Sequence, residues 1–385
     1  MKLLFLQNVY DAMGGSFMVN CSLARKFLHE GHEVFFVSLR SSGRSDLLPY
    51  PNTAKKLVIN ADEIWDTPLL SDALKMFKGG HLLRGMRQVK DRRHFDLSLK
   101  LDFEKCKLEI GKIDPDFIIC SHYECLEAVP TAYLKKTINH YHTTFNQVEA
   151  HRTQLPFFKK YNDRVGRLLW LSDATCKRAK AAGLSNSSYI YNPINFESLE
   201  ESSCMSNHAL FIGRFSSEKR VDLLVKLFDE TIREYKINYW ELDLVGMGEL
   251  SDEVKEIMQR NPHIHYLGPT ADPKSAYLNS SLLLLASEYE GFALVVLEAN
   301  ECGVPCLAFD FGEAAKEEII HGETGYLIVQ NDVEAYKKAM AQIMIDEALR
   351  LKLGSASKEF AKQFHMSAIY QQWLELFDEL KENNG

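Results

Sequence analysis

The stretch from Leu282 to Pro305 constrains the fold of this chain more than any other. Leu282 to Ala286 is a continuous apolar run of strand length. A strand apolar on both faces belongs in a sheet covered on both sides, as parallel sheets are. Glu290-Gly291 follows, helical spacing begins near Leu294, and Gly303-Val304-Pro305 stops it. The order is strand, loop, helix, strand. Glu290 therefore falls at the carboxyl end of a strand, where open α/β sheets take ligands. Glu298 lies about one turn inside the helix. The amides of Phe292, Ala293 and Leu294 form that helix's amino terminus, a site suited to an anion. Taken alone, a carboxylate beside a helix start is more often just a cap.

The same alternation runs through the rest of the chain. Lys2 to Leu6 reads as a strand, the loop after it ends in Gly14-Gly15, and Phe17, Cys21, Ala24, Phe27 and Leu28 have helical spacing. Glu33 to Ser38 is the next strand, which makes a βαβ start. Gly-x-Gly-x-x-Gly is absent, which disfavours a dinucleotide enzyme. Further strands are expected at 116–120, 137–142 and 168–172, while 40–72 has no readable pattern. The alternation restarts at Ala209 to Gly213, with Arg214 and Lys219 in the following loop and a helix to about Glu234. Strands follow at 240–245, ending in Gly246-Met247-Gly248, and at 264–268. At 385 residues the chain exceeds one ordinary core. The expected architecture is two doubly wound, Rossmann-like α/β domains facing across a cleft: 1–195, a Ser- and Glu-rich linker 196–208, and 209–365. A striped helix, 366–385, is expected to return to the first domain.

Charge and composition narrow the function classes. A net charge of −8 disfavours a general nucleic-acid binder. No apolar run approaches the roughly 18 residues that span a bilayer, and the first residues do not read as a secretion signal. The expected location is cytoplasmic. The eight cysteines form no framework and are expected to be reduced. Cys120-Ser-His122 and Cys125 have no second ligand pair, and Asp114-Pro115-Asp116 reads as a turn. His140 and His142 share a strand face but lack a third ligand. No metal is therefore expected. Between Lys75 and His94, seven Lys or Arg stand against one Asp, interleaved with Met76, Phe77, Leu82, Leu83, Met86 and Val89. This segment reads either as a solvated helical face, interrupted at Gly79-Gly80, or as a surface for anionic lipid heads or a lipid-diphosphate acceptor.

Glu290-Gly-Phe-Ala-Leu-Val-Val-Leu-Glu298 resembles the Glu-x7-Glu signature of retaining, nucleotide-sugar-dependent glycosyltransferases of the GT-B fold, family 4 (group 1). Ala293 stands where that family usually has glycine. Gly213, Arg214 and Lys219 match its Gly-Arg-x-x-x-x-Lys. The resemblance implies that Arg214 and Lys219 face the donor diphosphate, with Gly15 across the cleft. It also implies Glu290 near the donor sugar, Glu298 on the ribose hydroxyls, and the loop around Gly268 on the base. His142 is expected beneath the sugar, with His140 as the alternative. The donor would be a nucleotide sugar, UDP-linked by default. The acceptor would be a glycan or lipid-linked hydroxyl, as in cell-surface polymer assembly. A GT-B-like sugar-nucleotide epimerase or hydrolase, or a non-catalytic partner subunit, are the alternatives.

Overall fold

The computed structural model describes residues 1–9, 15–41, 50–64, 76 and 82–383. The first sheet is built from β1 (Lys2–Val9), β2 (Glu33–Ser41), β3 (Lys55–Ile64), β4 (Phe117–Cys120), β5 (Thr137–His140), β6 (Arg167–Trp170) and β7 (Ser187–Tyr189). Its order is β3-β2-β1-β4-β5-β6-β7, and every pairing is parallel. The second sheet contains β8 (His208–Ile212), β9 (Glu241–Val245), β10 (Ile264–Gly268), β11 (Leu282–Leu285), β12 (Cys306–Phe309) and β13 (Gly325–Ile328). Its order, β10-β9-β8-β11-β12-β13, is also parallel throughout. The order of strands along each sheet reverses once, beside β1 in the first and beside β8 in the second. Ligands bind at such switch points in doubly wound sheets.

Several helices of the described residues flank the switch points or carry residues that bear on the site. They are α1 (Gly15–His29), α2 (Leu82–Ile113), α3 (Asp173–Ala181), α4 (Val221–Glu234), α5 (Leu294–Glu301), α6 (Ala315–Glu318) and α7 (Met366–Glu382). Leu4, Leu6, Ile118 and Leu168 bury one face of the first sheet, and Leu3, Phe5, Ile119 and Leu169 the other. The second sheet encloses Leu210, Leu244, Leu284 and Leu307 in a core of its own. α7 does pack on the first sheet: Ile369, Trp373 and Phe377 join the Phe5 cluster, and the Phe377 ring stacks on Phe117 at 4.5 Å.

The structure corrects two expectations. Residues 40–72 are not without pattern. β2 continues to Ser41, and 55–64 forms the edge strand β3. Lys55, Lys56, Asn60, Asp62 and Glu63 disguise that strand, because an edge strand shows water more side chains than a central one. The strand expected to reach His142 stops at His140. The remainder, 42–49 and 65–72, lies outside the described residues. The Ser- and Glu-rich segment after β7 is pinned to the second lobe. The Ser198 amide donates to Glu301 Oε1 at 2.7 Å, and the Ser202 amide to the Cys302 carbonyl at 2.8 Å.

Candidate active site

A cavity of about 520 Å³ opens between the two switch points. From the first lobe come Gly15, Ser16 and Met18 of α1, His142 just beyond β5, and Leu171, Asn192 and Asn195. From the second come Gly213, Arg214 and Lys219 after β8, the loop Glu290 to Ala293 after β11, and Leu294, Val295 and Glu298 of α5. The loops are placed by close backbone approach. Gly246 has φ +143°, and a Cβ there would sit 1.7 Å from the Gly213 oxygen. Only glycine lets the turn after β9 lie against the turn that carries Arg214.

The cavity is charged, and its Lys219, Glu290 and Glu298 are largely shielded from water. Lys219 Nζ reaches Glu290 Oε1 at 2.5 Å, and Ser287 Oγ donates to the same oxygen at 2.7 Å. Arg214 is exposed and makes no hydrogen bond or ion pair among the described residues. Glu298 is 7% exposed, and its carboxylate accepts from Asn195 Nδ2 at 2.7 Å and Tyr277 OH at 2.8 Å. Burial pushes its carboxyl above the usual range, and those two donors pull it back only in part. His142 Nε2 faces His140 Nδ1 at 3.1 Å, so one proton serves both atoms. Burial holds both imidazoles neutral, His140 down to about 3. Behind them the His140 ring meets Trp373 of α7 edge-on at 5.3 Å. The last helix thus supports the first lobe's contribution to the cavity.

Contacts across the cleft hold the lobes together. The Glu317 carboxylate accepts from the Asp173 amide at 2.9 Å, the Ala174 amide at 2.8 Å and Tyr191 OH at 2.8 Å. It caps the amino terminus of α3 from the opposite lobe. Arg178 pairs with Glu313 nearby. A Cβ on Gly291 would lie 3.0 Å from the His142 carbonyl oxygen and 3.2 Å from Thr143 Cα.

Residues 200–360 match the family model of glycosyl transferases group 1. That segment of the chain is similar to the group 1 glycosyltransferases. It is 33% identical over 171 residues to an exopolysaccharide phosphotransferase of Streptomyces coelicolor, a match covering 43% of this chain and 18% of that protein. It is 25% identical over 417 aligned residues to the N-acetyl-alpha-D-glucosaminyl L-malate synthase of Bacillus anthracis, covering 100% of this chain and 99% of that one. The fold is that of GT-B structures. A Staphylococcus aureus TarM variant solved with fondaparinux, alpha-GlcNAc-glycerol and UDP superposes with a TM-score of 0.74 at 14% identity, over 98% of this chain and 100% of that one.

Within the matched segment, Arg214, Lys219, Glu290, Phe292, Ala293, Leu294 and Glu298 border one cavity, with Gly15 and His142 opposite. His142 lines it, whereas His140 is buried behind. Gly268 ends β10 with φ +73° and is not among the lining residues. Gly14 lies outside the described residues. The three amides at the start of α5 are not equally open. Ala293 N donates to Glu318 Oε2 at 2.9 Å and Leu294 N to the Phe292 oxygen at 3.1 Å, which leaves Phe292 N as the open donor. The amide site is partly filled from within because Glu318, wholly buried, needs a donor of its own. Among the described residues no group of three His, Cys, Asp or Glu is placed to hold a metal. Asp116 instead accepts from the Lys2 amide and Asp114 from Tyr133 OH. Sequence reasoning missed Asn195, Tyr277, Glu317 and Glu318. None stands in a pattern that separates it from an ordinary surface or loop residue.

Proposed function

We propose that this chain is a retaining hexosyltransferase. It would move a sugar from a nucleoside-diphosphate donor, by preference a UDP-sugar, to a hydroxyl acceptor during cell-surface polysaccharide or glycoconjugate synthesis. The observation that carries this reading is the pair Arg214 and Lys219 at one switch point, facing Gly15 and His142 at the other. A leaving diphosphate gains negative charge as the glycosidic bond breaks. Two cations, Lys219 held inside the cleft and Arg214 at its open side, offset that charge without a metal. Lys219 is held by Glu290, and the donor's phosphates would share it. Glu290 then stands beside the anomeric carbon as oxocarbenium character develops, and Glu298 turns towards the ribose. Neutral His142 offers a hydrogen bond to a sugar hydroxyl. The departing diphosphate takes the acceptor's proton, so the site needs no separate strong base. Closure of the lobes excludes water and limits donor hydrolysis. UDP bound in the TarM structure and the polysaccharide role named for the Streptomyces relative support donor and pathway class.

Among the described residues no helix is long and apolar enough to cross a membrane. The proposed place of action is cytoplasmic, peripheral at the inner face of the plasma membrane. Residues 75–94 are its contact, of which 75 and 77–81 lie outside the described residues. Donor turnover across a nucleotide-sugar panel, with and without an acceptor pool, tests the activity. Transfer that requires acceptor supports it. Acceptor-independent release of nucleotide would mean a hydrolase or epimerase instead. No turnover and no nucleotide binding would leave a non-catalytic partner subunit.

A further inference from the structure

α2 exposes large apolar side chains along most of its length. Leu82, Leu83, Met86, Leu97, Leu101 and Leu108 are all more than 60% exposed. At about 100° per residue, all but Leu82 fall within roughly 60° of the helix circumference, with Leu82 at the edge. The opposite side is firmly held. Phe95, Phe103, Cys106 and Ile110 are buried, and Asp102 accepts from the buried Arg40 Nε at 2.7 Å. The helix therefore cannot turn its leucines inward.

The charge on the outward side is positive in a protein of net charge −8. Lys90, Arg93 and Lys100 lie in or beside the stripe and have no ion-pair partner among the described residues. Arg87 and Lys105 line its other edge. Glu104 is the acid on that side, and it is already bound by Lys107 at 2.7 Å. A leucine stripe edged with cations suits a bilayer surface: the leucines enter the headgroup boundary while lysine and arginine heads reach anionic phosphates. A second copy of the chain fits poorly, because two such faces brought together would set cation against cation.

We propose that the Leu82–Leu108 face of α2 docks the first lobe in the plane of an anionic membrane. The face extends beyond the basic segment read from sequence, since Leu97, Leu101 and Leu108 lie past it. The proposal deepens the reading of residues 75–94 as a membrane contact, but its test reads binding and not turnover. The intact protein is floated with vesicles of phosphatidylglycerol mixed with phosphatidylcholine, and with phosphatidylcholine alone. Two variants are compared, Leu97→Glu with Leu101→Glu, and Arg93→Glu with Lys100→Glu. Circular dichroism and thermal melting confirm their fold, and sedimentation velocity gives the oligomeric state.

The wild type is expected to float with the anionic vesicles only. Each double variant should lower that partition by at least about tenfold, and added salt should weaken it. Wild-type protein that stays behind, variants that bind as well as wild type, or a solution dimer that the leucine variant dissociates would each overturn the proposal. Donor turnover on a soluble acceptor should be unchanged in both variants. Failure of docking would therefore leave the activity reading standing, and loss of turnover in every protein would leave docking standing.

Discussion

At the scale of single side chains, the cleft stores its cation in an ion pair that a ligand must share. Lys219 bridges to Glu290 at 2.5 Å in a setting that excludes most water. Replacing Lys219 by Ala removes a charge aimed at the leaving diphosphate. A loss of about 3 kcal/mol of transition-state stabilisation, on the order of 100-fold in kcat/KM, is expected with the fold unchanged by circular dichroism. Near-normal kinetics would remove Lys219 from the reaction. His140 gives a second prediction. It is buried and held down to about 3, against 6.5 when unfolded. Below 6.5 the unfolded chain takes up a proton that the folded chain refuses. Stability should therefore fall as pH drops from 6.5 towards 3, by up to about 1.4 kcal/mol per unit from this residue. In His140→Gln, urea midpoints should fall less steeply over that range; an unchanged slope would contradict the assignment. The charged residues of the cavity were legible in the sequence because their loops follow apolar strands. Their partners were not. Asn195 and Tyr277 bind Glu298 from 103 and 21 positions away, and no local spacing encodes such a meeting.

At the scale of elements, the site depends on turns that meet without side chains between them. A methyl group on Gly246 would strike the Gly213 oxygen at a backbone angle unfavourable to any other residue. Gly246→Ala should cost on the order of 3 kcal/mol in chemical unfolding. A loss below about 1 kcal/mol would mean that the two turns part easily. Gly291→Ala tests a different contact, since its Cβ would press on the His142 carbonyl across the cleft. Here the lobes can shift apart, so thermal stability should change little while donor turnover falls by about tenfold or more. Equal turnover would show that this approach does not matter for the reaction. The buried strands were readable from their apolar runs, Leu282 to Leu285 most plainly. β3 was not, because its polar residues carry no alternation that distinguishes an edge strand from a loop. The open amides of α5 were also misjudged: helix spacing located the amino terminus, but nothing nearby marked Glu318 as the group that occupies it.

At the scale of the whole molecule, two sheets that share one strand order over six strands present their switch points to each other. The last helix returns from the second lobe to brace the first. Trp373 reaches His140, which in turn meets His142 at the cavity. Glu317 and Arg178 tie the lobes at the rim. The two-sheet plan was legible in the sequence because parallel strands and their crossovers repeat along it. The ties between lobes were not, since they join polar residues that look like surface anywhere in the chain. The central claim is that an activated sugar lies between the lobes with its diphosphate on the second lobe's cations. A crystal structure with UDP bound is the most direct measurement. The phosphates should lie within hydrogen-bond distance of the Arg214 and Lys219 side chains, with the ribose at Glu298. A nucleotide seated anywhere else would contradict the account.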